Sequence, residues 1–133
     1  MLVALLIGLA VGELLRNGSA PVPTNQVARF TLVGYQDLAG ARAMVIDLKS
    51  DGVALVDFSG LPPLTAGRVH EVWLITPGGR PDDAAVFVPD ANGSKVVLVN
   101  RSLDGYRQMV ITNEPGPDGS KAPTQQPELY GSL

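Results

Sequence analysis

The chain of 133 residues carries 10 Lys and Arg against 13 Asp and Glu, a net charge of −3, and no cysteine. Neither charge sign gathers into a run that could neutralise a phosphate backbone, which excludes nucleic acid as the expected partner. The missing cysteine excludes a disulfide, a thiolate metal site and a thiol nucleophile. With 45% hydrophobic but only 5% aromatic residues, and with 15 Gly and 11 Pro, the composition favours many short strands joined by turns within one domain.

From Leu2 to Val11 every residue is apolar or Gly, and the stretch reaches Leu15 if Glu13 is tolerated. As a helix, residues 2–15 would span about 21 Å against a bilayer core of roughly 30 Å, which is short of a full crossing. A secretory signal peptide is disfavoured because the basic n-region is missing and no clear small-x-small cleavage site follows. A buried amphipathic helix would need a polar face, but Leu2, Val3, Leu5, Leu6, Ile7, Leu9 and Val11 cover all sides. Residues 1–16 are therefore expected to form a membrane anchor, short or cut by the start at Met1, with residues 1–15 in contact with lipid. Residues 17–26, with Gly18, Ser19, Pro21 and Pro23, read as a polar juxtamembrane linker.

The remaining residues, 27–133, read as one β domain. Residues 27–33 alternate, with Phe30 and Leu32 on one side and Arg29 and Thr31 on the other, the period of a half-buried strand. Residues 43–48 and 53–58 are apolar runs joined by Lys49-Ser50-Asp51-Gly52, a hairpin signal. Pro62-Pro63 cannot donate ladder hydrogen bonds and belongs at a sheet edge or in a crossover. A long apolar strand follows over residues 69–75. Residues 84–88 and 94–99 flank Pro89-Asp90-Ala91-Asn92-Gly93, which predicts a second hairpin. Residues 106–113 form the next strand, a Gly- and Pro-rich loop follows Pro115, and residues 128–130 supply a last short edge strand. Residues 96–99 are apolar on both faces, which places them on a covered central strand. The sum is an all-β fold, an antiparallel β-sandwich of seven to eight strands preceded by a short membrane helix, with Trp73 as its largest core side chain.

Leu61-Pro62-Pro63-Leu64, then Ala66-Gly67-Arg68 and Glu71-Val72-Trp73-Leu74-Ile75, resemble the signature of the anti-sigma-K factor family, in its C-terminal extracytoplasmic domain. Ala85-Val86-Phe87 with Pro89-Asp90 and Gly93 resemble its next hairpin. Residues 110–115 with Gly119-Ser120 and Ala122-Pro123-Thr124 resemble its closing stretch. The resemblance runs from about residue 27 to residue 131, and it departs at His70, where family members usually carry an aromatic or similar residue. It implies a single-pass protein of the bacterial cell membrane with this domain outside the cytoplasm. It also implies a separate cytoplasmic sigma-binding domain, often zinc-bound through His and Cys, for which this chain has neither length nor cysteine.

Chemistry-bearing candidates give way to plainer readings. His70, the single histidine, lies inside a strand signature and is expected to face outward or to sit near Glu71 rather than serve a Ser/His/Asp set. One His with Met44 and Met109 cannot build a type I copper site. Asp90-Ala91-Asn92-Gly93 lacks the later bidentate Glu of a calcium loop and reads as a turn. Asp82 and Asp83 point to opposite faces in a strand, or are solvated in a loop. The Asn-x-Ser triplets at Asn17, Asn92 and Asn100 are incidental in a bacterial protein.

No catalytic, cofactor-binding or metal-binding residue and no cofactor is expected, and the chain is not expected to be an enzyme. The expected function is the sensor or regulatory part of a membrane-bound anti-sigma factor, released by a protease. The alternative is an anchored accessory subunit that uses the sandwich to dock other subunits of a membrane complex.

Overall fold

The computed structural model describes residues 26–133. The expected anchor, residues 1–16, and all of the linker except Gln26 lie outside the described residues. Among the described residues no helix is long and apolar enough to cross a membrane.

Eight strands follow one another: β1 Val27–Gly34, β2 Arg42–Leu48, β3 Val53–Ser59, β4 Arg68–Ile75, β5 Pro81–Phe87, β6 Lys95–Val99, β7 Gln108–Pro115 and β8 Leu129–Ser132. Each coincides with a strand read from alternation and turn chemistry, to within a few residues. The Lys49–Asp51 turn closes as a single 3₁₀ turn capped by Gly52 in the left-handed region, and β2 and β3 pair as the expected hairpin from Arg42↔Ser59 to Leu48↔Val53.

The arrangement of these strands corrects the two-sheet expectation. All eight belong to one antiparallel sheet in the order β5-β4-β7-β8-β1-β2-β3-β6. The sheet curls until its edge strands β5 and β6 approach, forming a nearly closed barrel. Alternation requires only that one face of each strand be buried, and a curled single sheet buries it against itself as well as two stacked sheets do.

The same order overturns the predicted second hairpin. Asn92 and Gly93 do form a turn, with Gly93 N–H on the Asp90 carbonyl and Ser94 N–H on Asn92 Oδ1. However, β5 pairs with β4 and β6 with β3, so the chain leaves one edge of the sheet at Phe87 and rejoins it at the other. Nor is β6 a covered central strand, since Val96 and Leu98 are 60% and 55% exposed on its outer face. Pro62 and Pro63 lie in the crossover from β3 to β4, where no ladder hydrogen bond is lost.

The barrel interior is filled by Leu32, Ala43, Val45, Val56, Phe58, Val72, Leu74, Val97, Met109, Ile111 and Leu129. Phe58 and Phe87 meet across the seam between the edges with ring centroids 4.5 Å apart. Leu103, in the β6–β7 loop, plugs the end where β1 begins. Beside it, Asp82 accepts both Arg80 Nε and Nη2 at 3.1 Å and the Tyr106 hydroxyl at 2.7 Å. These hydrogen bonds, from Arg80 first and then Tyr106, hold its carboxyl down at about 2.

Truncation at the seam tests closure. Phe58→Ala removes a fully buried ring by which β3, next to the β6 edge, packs on Phe87 of the β5 edge, and is expected to cost about 3–5 kcal/mol of unfolding free energy in a denaturant titration. A loss below ~1 kcal/mol would mean that the edges are not held together by this contact.

Candidate functional site

The outward faces of β4 and β7 are as buried as their inward faces. Val69, Glu71 and Trp73 on β4 stand opposite Glu114, Thr112 and Val110 on β7, and all six are buried. A polar set at the positions where alternation would place a solvated face requires a second layer. The return segment from Gly116 to Glu128, between β7 and β8, supplies it over Glu71 and Glu114.

Glu114 is the fastening point. Its carboxylate accepts the Thr112 hydroxyl at 2.6 Å, the Ser120 hydroxyl at 2.8 Å, the Thr124 N–H at 3.0 Å and the Thr124 hydroxyl. Thr112 Oγ1 in turn accepts the Trp73 indole N–H at 2.8 Å, so the large apolar ring is oriented by the same network. Trp73 is fully buried as expected, but in this outer layer rather than inside the barrel. Glu71 accepts the Ser120 N–H at 2.7 Å on Oε1 and has no partner on Oε2. Gly119 makes the close approach possible: its φ is +78°, and a Cβ there would run into the Glu71 carboxylate.

The two carboxylates are pushed in opposite directions. Burial raises the Glu71 carboxyl above the usual range, the nearby charges of Asp83 and Glu114 add to the rise, and the single Ser120 N–H only partly opposes them. Burial pushes Glu114 the same way, yet its hydrogen bonds from Thr112, Thr124 and Ser120 outweigh that and hold it below the usual range. Asp83 thus belongs to the outer face near Glu71, while Asp82 sits with Tyr106, so the neighbouring carboxylates diverge as expected.

The same segment borders a cavity of about 440 Å³ at the end of the barrel where β1 finishes and β4 begins. Its apolar wall comes from Leu38, Pro62, Pro63, Leu64 and Ile111, and its polar side from Arg68, His70, Asn113, Gln125, Gln126 and Glu128. Arg68 is held across the β4–β7 ladder, donating from Nε to Asn113 Oδ1 at 2.7 Å and from Nη2 to the Asn113 carbonyl at 3.0 Å. Glu128 Oε1 accepts the Asp37 N–H at 3.1 Å.

His70 corrects its expected outward orientation. It stands on the inward face of β4 beside Phe87, ring centroids 5.3 Å apart, only 2% exposed, with neither ring nitrogen hydrogen-bonded among the described residues. Burial lowers its pKa to about 4, so the ring is neutral at pH 7. No group of three or more His, Cys, Asp and Glu side chains that could hold a metal ion occurs among the described residues.

A nearly closed antiparallel barrel, strapped on its outside by its own return segment and open at one end, is the architecture of a compact β domain with its polar groups concentrated around one strand pair. The chain belongs to the family described as anti-sigma-K factor rskA, C-terminal, whose model matches residues 1–128. It is thus an anti-sigma factor C-terminal regulatory domain. No curated protein and no solved structure matches the chain.

Substitution of the two carboxylates should tilt the acid stability profile in opposite senses. Glu114, depressed in the folded state, contributes stability that is fully present above its unfolded value near 4.5 and fades as the pH drops through the folded value. Glu114→Gln is therefore expected to lose about 1–3 kcal/mol at neutral pH, with the deficit shrinking below that range. The Glu71 carboxylate, raised in the folded state, costs stability at neutral pH, and the cost fades as acidification carries it through its raised pKa. Glu71→Gln is expected to relieve that cost. Parallel pH profiles for the two variants, from urea melts, would contradict this assignment.

Proposed function

We propose that residues 27–133 form the extracytoplasmic regulatory domain of a membrane-bound anti-sigma factor, and that residues 1–16 anchor it in the bacterial membrane. Sigma binding is assigned to a cytoplasmic part of the protein that these residues do not include. The observation that carries the reading is the family match, which extends over the apolar N-terminal segment as well as the strands. The absence of cysteine fits a domain that draws its stability from packing, and permits either side of the membrane.

Release of the sigma factor follows from cutting the tether outside the membrane. Residues 16–26 are polar and contain Gly18, Pro21 and Pro23, a composition that offers a protease extended backbone. The body protects its own backbone by comparison, with every strand paired in one sheet. No catalytic role is assigned to the domain. Its partners in this reading are lipid, a protease and the cytoplasmic sigma factor held by the rest of the protein.

A second reading, a docking module in a membrane complex, is favoured by one feature. The outer face of β2, β3 and β6 carries Met44, Val96 and Leu98, all exposed; Leu98 continues the row of Ile46 and Leu55, and Asp57 stands between Met44 and Val96, a largely apolar surface suited to a protein neighbour.

Two measurements on the membrane-embedded protein check the first reading. Alkaline phosphatase fused after Leu133 is expected to be active and a green fluorescent protein fusion dark; the reverse would place the domain in the cytoplasm. Limited proteolysis is expected to cut within residues 16–26 before any loop of the barrel, and a tether that outlasts the folded loops would remove the proposed cleavage step.

A further inference from the structure

The outward face of β1, β2, β3 and β6 is too apolar for a surface that meets only water. Met44, Val96 and Leu98 are exposed on it, and Ile46, Leu48 and Leu55 lie half-buried among them. The strand registers order these side chains into rows. One row runs Arg29, Ile46, Leu55, Leu98, and the next runs Thr31, Met44, Asp57, Val96. Two exposed charges of opposite sign thus flank β2, Arg29 on one side and Asp57 on the other, one row apart. With strands about 4.8 Å apart and roughly 3.4 Å per residue, their Cα atoms stand about 12 Å from each other. No ion pair joins them among the described residues.

The charges decide what such a face takes. A lipid interior would strip water from Asp57 and offer it no base, which is costly. A protein surface with a base opposite Asp57 and an acid opposite Arg29 fits, and the face itself has that pattern. Consider a two-fold axis lying in the face, through the point on β2 midway between Met44 and Ile46 and perpendicular to the line from Arg29 to Asp57. A second copy turned about it lays Asp57 on the partner subunit's Arg29 and Arg29 on the partner subunit's Asp57. The same rotation brings Leu98 towards the partner subunit's Leu48 and Leu55 towards the partner subunit's Ile46, apolar on apolar. The strands of the two copies then cross at about 70°, nearer to the orthogonal than to the aligned packing of sheets. Four strands of about seven residues present roughly 400 Å² per copy. The pair buries roughly 800 Å², short of the roughly 1,200 Å² of stable complexes, which makes the dimer weak and reversible.

We propose that the chain pairs with a second copy of itself through the outer face of β1, β2, β3 and β6. The dimer is isologous, with two Asp57–Arg29 ion pairs around an apolar centre at Met44 and Ile46. It uses the surface that favours the docking reading and gives it a different occupant. It does not depend on the sigma-factor reading, since the face belongs wholly to the folded body.

The chain has no cysteine, so one introduced thiol reports on one position. With the whole chain in a zwitterionic detergent, Met44→Cys, beside the axis, is expected to be joined into a dimer by a short bis-maleimide. Lys121→Cys, exposed on the return segment outside β4 and β7, is expected to stay monomeric. In the Met44→Cys background, Arg29→Asp and Asp57→Arg each turn both ion pairs into like-charge contacts. Each is expected to slow dimer cross-linking roughly tenfold. An equal mixture of these two variants restores both ion pairs in the mixed dimer, and is expected to cross-link several times faster than either alone. No pairing within one chain gives that recovery, and both substituted side chains are exposed, so the core is untouched. Equal cross-linking at Met44→Cys and Lys121→Cys overturns the proposal. So does the absence of a dimer at Met44→Cys, which leaves the face to lipid or to another protein, and so does a mixture that cross-links no faster than its parts.

Discussion

The carboxylate of Glu114 fixes more of this molecule than its size implies, because four hydrogen bonds from Thr112, Ser120 and Thr124 converge on it out of water. Two of those residues lie on the return segment, and that segment ends at Leu129, where β8 begins. β8 is only Leu129–Ser132, yet it is the one strand that joins β5-β4-β7 to β1-β2-β3-β6. Its pairing with β1 is limited to Val33↔Tyr130 and Gly34↔Leu129, with the Tyr35 and Tyr130 rings stacked 4.8 Å apart beside it. A four-residue strand has little power to hold two half-sheets unless its starting point is set. The segment pinned at Glu114 sets it, so a buried charge that would be a liability when unpaired becomes the condition for a continuous sheet.

Glu71 is the counterpart that keeps this arrangement from being simply stabilising. It shares the outer layer, accepts a single N–H and leaves one oxygen unpartnered beside two other negative groups. Its neighbour Gly119 must be glycine to let the chain pass. The strap is thus tight at Glu114 and strained in charge at Glu71, with Ser120 bound to both carboxylates and Thr124, four residues further on, bound to Glu114. Protonation relaxes the one and weakens the other, so the segment responds to acidity with opposing terms rather than with a single switch point.

Much of this was legible in the residues, and the failures have identifiable physical causes. Period-two alternation and Gly- or Pro-bearing turns located eight strands because both are local properties of the chain. Which strand lies beside which is not local. The Asn92-Gly93 turn is genuine, but a turn reports only that the chain bends, and β5 and β6 bend away to opposite edges. Alternation specifies a buried face without saying whether a second sheet or the curled remainder of the same sheet covers it. The outer layer left a readable trace in Glu71, Thr112 and Glu114, acceptors and a hydroxyl set beside runs, residues 72–75 and 109–111, that are apolar on both faces. That pattern is poorly suited to water and well suited to a polar lid. Nothing comparable marked His70, because its inward orientation depends on the register Val72↔Ile111 and His70↔Asn113.

The barrel has a direction, and it separates the features that the sequence runs together. β1 starts at Val27, opposite Leu48, and ends at Gly34, beside Ala41 and Leu129. Eight extended residues cover about 25 Å, so the first residue of β1 and the mouth beside His70 lie at opposite ends. The end where β1 begins is closed by Leu103 and by the Arg80–Asp82–Tyr106 cluster, whereas the mouth is bordered by Gln125, Gln126 and Glu128 of the strap. An object in the mouth touches the same segment that Glu114 pins and that positions β8. β8 pairs with the far end of β1. Mouth, strap, β8 and β1 are therefore consecutive in the fold.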